Sequence, residues 1–168
     1  MSKTKRIELL TPGGIHPRLA VLFAQLEDVR EEFKKMAVNM PMEKLDSAPV
    51  DGFMRAGQLL AHCAGAEEWW VKRLLQGDES WIQDPETEEV MGAGGKSLEE
   101  ILAYMDEVRA HTRRALDAMG EDDLSREFPW DDEDGTRYLF SVEWVLHHLV
   151  AHEAHHRGQF ALLKRMMG

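Results

Sequence analysis

Apolar residues recur three and four positions apart through four separate stretches of this 168-residue chain, with proline- and glycine-bearing breaks between them. Such spacing lays one apolar stripe along a helix of about 3.6 residues per turn and does not suit the two-residue repeat of a strand. β-Branched residues are sparse, with only four isoleucines, whereas Ala, Leu, Met, Glu and Arg are plentiful. The sequence therefore predicts an all-α fold.

The first predicted helix runs from about Pro17, a residue suited to a first helical turn, and carries Leu19, Leu22, Phe23, Leu26, Val29, Phe33 and Met36 on its stripe until Pro41 ends it. The second begins near Met54, carries Leu59, Ala66, Trp70 and Leu74, and stops at Gly77. Residues 78–96, with Pro85, three glycines and many acids, read as an irregular connection. The third helix opens with the capping box Ser97-Leu98-Glu99-Glu100, buries Ile101, Met105, Val108 and Leu116, and closes at Gly120. A second acidic loop, containing Phe128-Pro129-Trp130, leads to the fourth helix, from about Tyr138 or Ser141 to Met167. Four amphipathic helices with two long connections, in a chain of single-domain length, predict one four-helix bundle over residues 1–168.

Charge and cysteine content narrow the function. Twenty Lys and Arg against 31 Asp and Glu give a net charge of −11, which repels a phosphate backbone, so no nucleic-acid partner is expected. The longest apolar run, Leu19 to Ala24, is far short of the roughly 20 residues that cross a bilayer, so no membrane partner is expected either. The basic start, Met1 to Arg6, is not followed by the apolar segment of a signal peptide, and a cytoplasmic location is expected. The lone Cys63 can form no internal disulfide, and a metal here must be held by nitrogen or oxygen.

Five of the eight histidines fall between Val145 and Gln159. On a helix His148, His152 and His156 rise one above another, with His147 and His155 on adjoining flanks. Two His one turn apart can converge on one metal, whereas three in a vertical row do not do so easily. This face also carries Val145, Leu149 and Leu163, so it points at the bundle core, where unpaired imidazoles are costly and a metal removes the cost. A third ligand is expected from another helix: His62, between Leu59 and Ala66, lies on the core-facing stripe of the second, whereas the alternative, Cys63, is rotated about 100° from it and reads as packing. His16 and His111 read as ordinary partly exposed histidines. The string His152-Glu153-Ala154-His155-His156 matches the zinc-protease pattern H-E-x-x-H, but only twelve residues follow His156, and Gln159 and Leu162 stand where the extended pattern needs Gly and His.

Two segments, Leu60-Ala61-His62-Cys63-Ala64-Gly65-Ala66-Glu67-Glu68-Trp69-Trp70 and Val150-Ala151-His152-Glu153-Ala154-His155-His156-Arg157-Gly158-Gln159, resemble the DinB/YfiT-like proteins, a family of metal-binding four-helix bundles. The resemblance extends over the whole chain in helix order. It implies a divalent-metal site of His62, His152 and His156, and a homodimer. Characterised relatives include thiol transferases that use bacillithiol, mycothiol or glutathione, and a mycothiol-dependent isomerase, so the family alone does not fix the reaction.

Three imidazoles leave metal positions open, as in catalytic sites, and zinc or nickel suits them. The expected function is a metal-dependent thiol S-transferase acting on a small-molecule substrate with a low-molecular-weight thiol. A hydrolase, or a non-catalytic dimeric metal-binding module with a sealed site, is the alternative. His148 is a candidate support or proton shuttle for the ligands, or a packed surface residue. Glu153, offset by about 100° from His152, is a candidate base, though a solvated acid is the commoner outcome. Arg157 is a candidate for a thiol cofactor's carboxylate, or a partner for Glu153 one turn away. Gln159 orients a ligand or caps packing, and Trp69, Trp70 and Trp130 either wall a pocket or belong to the core.

Overall fold

The computed structural model describes residues 9–48, 52–78, 95–132 and 134–168. Helix α1 spans Pro17–Ala37, and the short α2 spans Met42–Leu45. Helix α3, Ala56–Glu68, continues into a π-helical segment, Trp69–Leu75. Helices α4, Leu98–Asp117, and α5, Glu121–Leu124, precede the strands β1, Phe128–Asp131, and β2, Arg137–Phe140. Helix α6, Val142–Met166, is the longest. The four long helices pack as a bundle, α1 against α6 and α3 between α4 and α6.

The helix starts follow local chemistry. His16 caps α1 by accepting a hydrogen bond from the Arg18 amide at 3.3 Å, with Pro17 in the first turn. The capping box of α4 forms as the spacing predicts: the Ser97 amide donates to Glu100 at 2.7 Å, and the Glu100 amide donates to Ser97 Oγ at 3.2 Å. At α6 the cap is Ser141, whose Oγ accepts from the Trp144 amide at 3.2 Å.

Several sequence expectations need correction. The loop around Phe128-Pro129-Trp130 is half of an antiparallel hairpin that pairs Phe128 with Phe140 and Trp130 with Tyr138. Tyr138 therefore lies in β2, outside α6. Aromatic residues favour this extended pairing, and the turn is closed by the Asp132 amide donating to Thr136 O at 2.8 Å, with Gly135 at φ 84°. Helix α4 ends at Asp117 rather than Gly120, and α3 begins at Ala56 rather than Met54. Of the connection read at residues 78–96, residues 79–94 lie outside those described. The π-helical turn was not foreseen. It keeps Val71, Leu74 and Leu75 in the core, while Trp69 meets Trp130 and Trp70 meets Phe140 on the hairpin at ring-centroid distances of 5.1 and 5.2 Å.

The core has two parts. One, at the hairpin end, gathers Leu19, Phe23, Leu26, Val71, Leu116, Phe128, Val145 and Leu149. The other gathers Phe33, Leu45, Leu60, Ile101, Met105, Phe160 and Leu163, with Phe33 and Phe160 edge to face at 5.2 Å. Gly57 lets helices approach closely in the second part, since a Cβ there would meet Ile101 Cδ1 at 3.2 Å. Along each long helix one buried charge falls between the two parts: Arg30, Glu67, Arg109 and Glu153.

Candidate metal centre

His62 lies midway along α3, and His152 and His156 lie one turn apart on α6, which packs against α3. The structure brings all three together. Nε2 of His152 is 3.2 Å from Nε2 of His62 and 3.1 Å from Nε2 of His156, and the three ligand atoms lie within 4.8 Å of one another. Two zinc–nitrogen bonds at a tetrahedral angle would hold their nitrogens about 3.3 Å apart, so the spacing fits one ion. Hydrogen bonding alone serves the cluster poorly, because each Nε2 offers either one proton or one lone pair, and His152 Nε2 faces two neighbours.

The electrostatics agree with the geometry. Burial, followed by repulsion from His156, His62 and other histidines, depresses His152 to about 4. Burial also lowers His62 and His156. All three imidazoles are therefore neutral at pH 7, the form that binds a metal. Gln159 Oε1 sits 2.7 Å from His156 Nδ1, which places the proton on Nδ1 and leaves the Nε2 lone pair turned toward the cluster.

Glu153 requires a correction. It is neither solvated nor placed as a base: it is 2% exposed, and its carboxylate receives Arg30 Nε and, at 3.2 Å, Arg109 Nη2. Two guanidinium groups hold both oxygens, so the H-E-x-x-H string does not act as a zinc-protease helix here. The pairing of Glu153 with Arg157 does not form either. Arg157 is half-buried, and its charge adds to the stronger pull of Lys35 in lowering the Glu32 carboxyl of α1.

His148 belongs to an aromatic wall. Its ring stacks on Trp144 at 5.0 Å with 9° between planes, lies 5.0 Å from Trp70, and stands 6.0 Å from His152. Trp69, Trp70 and Trp130 form the same wall, with Trp69 and Trp70 5.0 Å apart. His155 is exposed with its ring 5.2 Å from His156, and His147 is exposed. His16 and His111 have partners away from the cluster, Glu121 at 2.9 Å and Gln76 at 2.8 Å. Cys63, next to His62, is 2% exposed, and burial pushes its thiol well above the usual range, which makes it a poor nucleophile.

The sequence reading missed the ion quartet that braces these helices. Glu67 of α3 accepts from Arg30 Nη2 at 2.8 Å, from Arg109 Nε at 2.8 Å and from Arg109 Nη2 at 3.0 Å. The arginines also donate to backbone carbonyls, Arg30 to Met105 and Arg109 to Leu26, both at 2.9 Å. A signal was present. Arg30 stands four residues after Leu26 and three before Phe33, a core position by spacing, and Arg109 stands four after Met105.

A family model described as the DinB superfamily matches residues 25–160, a span that includes all three clustered histidines. No curated protein sequence matches the chain. Among solved structures, the fold is similar to YfiT from Bacillus subtilis, described as a probable metal-dependent hydrolase with an unusual four-helix bundle topology. That likeness has TM-score 0.65 and 18% identity, covering 100% of this chain and 95% of that one. A conserved protein from Enterococcus faecalis is similar at TM-score 0.68 and 16% identity, over 87% of this chain and 94% of that one. A protein from Streptococcus pneumoniae is similar at TM-score 0.64 and 21% identity, over 86% and 89%. With a match over most of its length, a helical bundle, and three histidines gathered from the second and last long helices, the chain belongs to the DinB superfamily.

Proposed function

We propose that this protein is a divalent-metal-dependent enzyme whose His62, His152 and His156 hold the ion, and that it transfers a low-molecular-weight thiol to a small electrophile. The observation that carries the reading is the donor set: three neutral imidazoles converge, and among the described residues no carboxylate joins them. A divalent ion, zinc or nickel, supplies Lewis acidity that favours the thiolate of an incoming thiol near neutral pH. In the transfer a sulfur–carbon bond forms, the bond from that carbon to its leaving group breaks, the leaving group keeps the electron pair, and the thiol proton passes to solvent. A thiol needs no protein base for this, which suits a site whose nearest acid in sequence, Glu153, is held by Arg30 and Arg109. Gln159 keeps His156 in the ligating tautomer, and Arg157 is offered as the anchor for a carboxylate of the thiol.

Hydrolysis is the second reading, favoured by the likeness in fold to the Bacillus subtilis protein described as a probable metal-dependent hydrolase. A sealed, purely structural metal site is not favoured, because His156 lines a surface pocket. The deciding experiment compares the zinc-loaded and nickel-loaded protein on two substrates: 1-chloro-2,4-dinitrobenzene with a panel of small thiols, and p-nitrophenyl acetate without thiol. Metal- and thiol-dependent conjugation supports transfer. Metal-dependent ester cleavage with no conjugation overturns transfer in favour of hydrolysis.

A further inference from the structure

Four of the twelve large apolar side chains exposed among the described residues gather in one place: Phe53, Met54, Leu162 and Met166, each 41% exposed or more. Together with Leu59 and Leu163 they line a pocket of about 300 Å³ between residues 52–54 and the last turns of α6. Among the described residues no Lys, Arg, Asp or Glu lines it, and the polar side chains there are His156 and Gln159. A concentration of exposed apolar surface that ends on a polar group marks a ligand site more than ordinary surface scatter.

The polarity of the walls selects the occupant. A small thiol nucleophile that carries carboxylates or sugars finds no charged partner among these side chains and only His156 and Gln159 for its polar groups, whereas an uncharged hydrocarbon body matches the six apolar ones. At about 30 Å³ per water-sized group, 300 Å³ accommodates about ten non-hydrogen atoms. We infer that this pocket binds the apolar body of the second substrate, an alkyl or aryl group of about eight to ten carbons whose polar, reacting end lies at His156. The inference rests on the metal-site reading for the direction of that polar end, and it adds a substrate class: amphiphilic electrophiles with an uncharged tail.

A series of n-alkyl hydroxamates separates the two ideas, because the head chelates a metal and only the tail probes the pocket. Binding to the zinc-loaded protein is measured by calorimetry from acetohydroxamate to dodecanohydroxamate. Affinity is expected to rise by up to about fourfold per added methylene, then to level off near eight to ten carbons. Leu162→Glu, a change at an exposed position, should abolish that rise while leaving zinc content and acetohydroxamate affinity unchanged. If acetohydroxamate binds but longer tails add nothing, or if the rise survives Leu162→Glu, the pocket inference is overturned and the metal reading stands. If no hydroxamate binds, the metal reading fails, and 1-octanol decides the pocket: binding to the metal-free protein that Leu162→Glu removes supports it, and no binding overturns it.

Discussion

Gln159 Oε1 and His156 Nδ1 are 2.7 Å apart on the same face of α6, and this contact fixes which nitrogen of His156 is free to bind a metal. The amide oxygen can only accept, so Nδ1 must donate. Partners of this kind orient ligands and raise their basicity. Replacing Gln159 with Leu should weaken zinc affinity by about tenfold or more while leaving the fold intact, since the residue is exposed. Competition with a chromophoric chelator measures it, and unchanged affinity would show that the contact does not matter to the site.

The ligand set itself is tested one residue at a time. His62→Ala, His152→Ala and His156→Ala should each lose most of the bound metal, because two imidazoles are a poor site for zinc or nickel. Elemental analysis after dialysis reads the result. A variant that keeps its full metal content removes that residue from the set.

Cys63 should be dispensable. Its thiol is buried and pushed up in pKa, so it neither attacks nor ligates. With external thiol present, Cys63→Ser should keep the transfer rate within about threefold, whereas metal removal should abolish it. The reverse pattern would replace the metal-activated thiol with a cysteine nucleophile.

Glu67 gives stability a dependence on acid. Burial alone would raise its pKa, but Arg109 and Arg30 outweigh burial and hold it at about 2, below the ordinary 4.5. A carboxyl lowered in the folded state contributes stability that is complete above pH 4.5 and is lost as pH falls through about 2. Glu67→Gln leaves the two arginines undercompensated and should cost about 3–5 kcal/mol at pH 7. Urea unfolding from pH 7 to pH 2 checks both points. The wild type should lose stability steeply between 4.5 and 2, and the variant less so.

We expect a homodimer, as the family resemblance implies and as two-fold pairing commonly provides. Light scattering over a range of concentrations should give twice the 19.2 kDa chain mass. A mass of 19.2 kDa at every concentration would exclude it.

What was legible in the sequence was whatever a single helix encodes by itself. Pro17, Ser97 and Ser141 mark real helix starts because caps and first-turn prolines act within one turn. The stacking of His152 over His156 follows from the same helical repeat, and His62 follows from its place on an apolar stripe. Features that depend on partners distant in sequence were not legible. Glu153 and Arg157, four residues apart, look like a surface pair, yet Glu153 is claimed by Arg30 from 123 residues away. The hairpin was hidden because Pro129 and the surrounding acids resemble a loop, and its extended form rests on aromatic contacts with Trp69 and Trp70.

The ion quartet also acts as an axial index for the bundle. Stripes of leucine and alanine look much alike one turn along, so an apolar helix could slide by about 5.4 Å and still bury its face. A charge has no such double. Sliding α6 by one turn would set Leu149 or Arg157 against Arg30 and Arg109, and sliding α3 would set Cys63 or Val71 there. Either move takes away one of the two carboxylates that Arg30 and Arg109 share and leaves two buried guanidinium groups on the other, where an undercompensated charge is costly. The same slide would replace His152 and His156 opposite His62 by His148 and His152, or by His156 and Phe160. The vertical alignment that brings the three imidazoles together is therefore set by Arg30, Glu67, Arg109 and Glu153, groups that lie outside the histidine cluster itself.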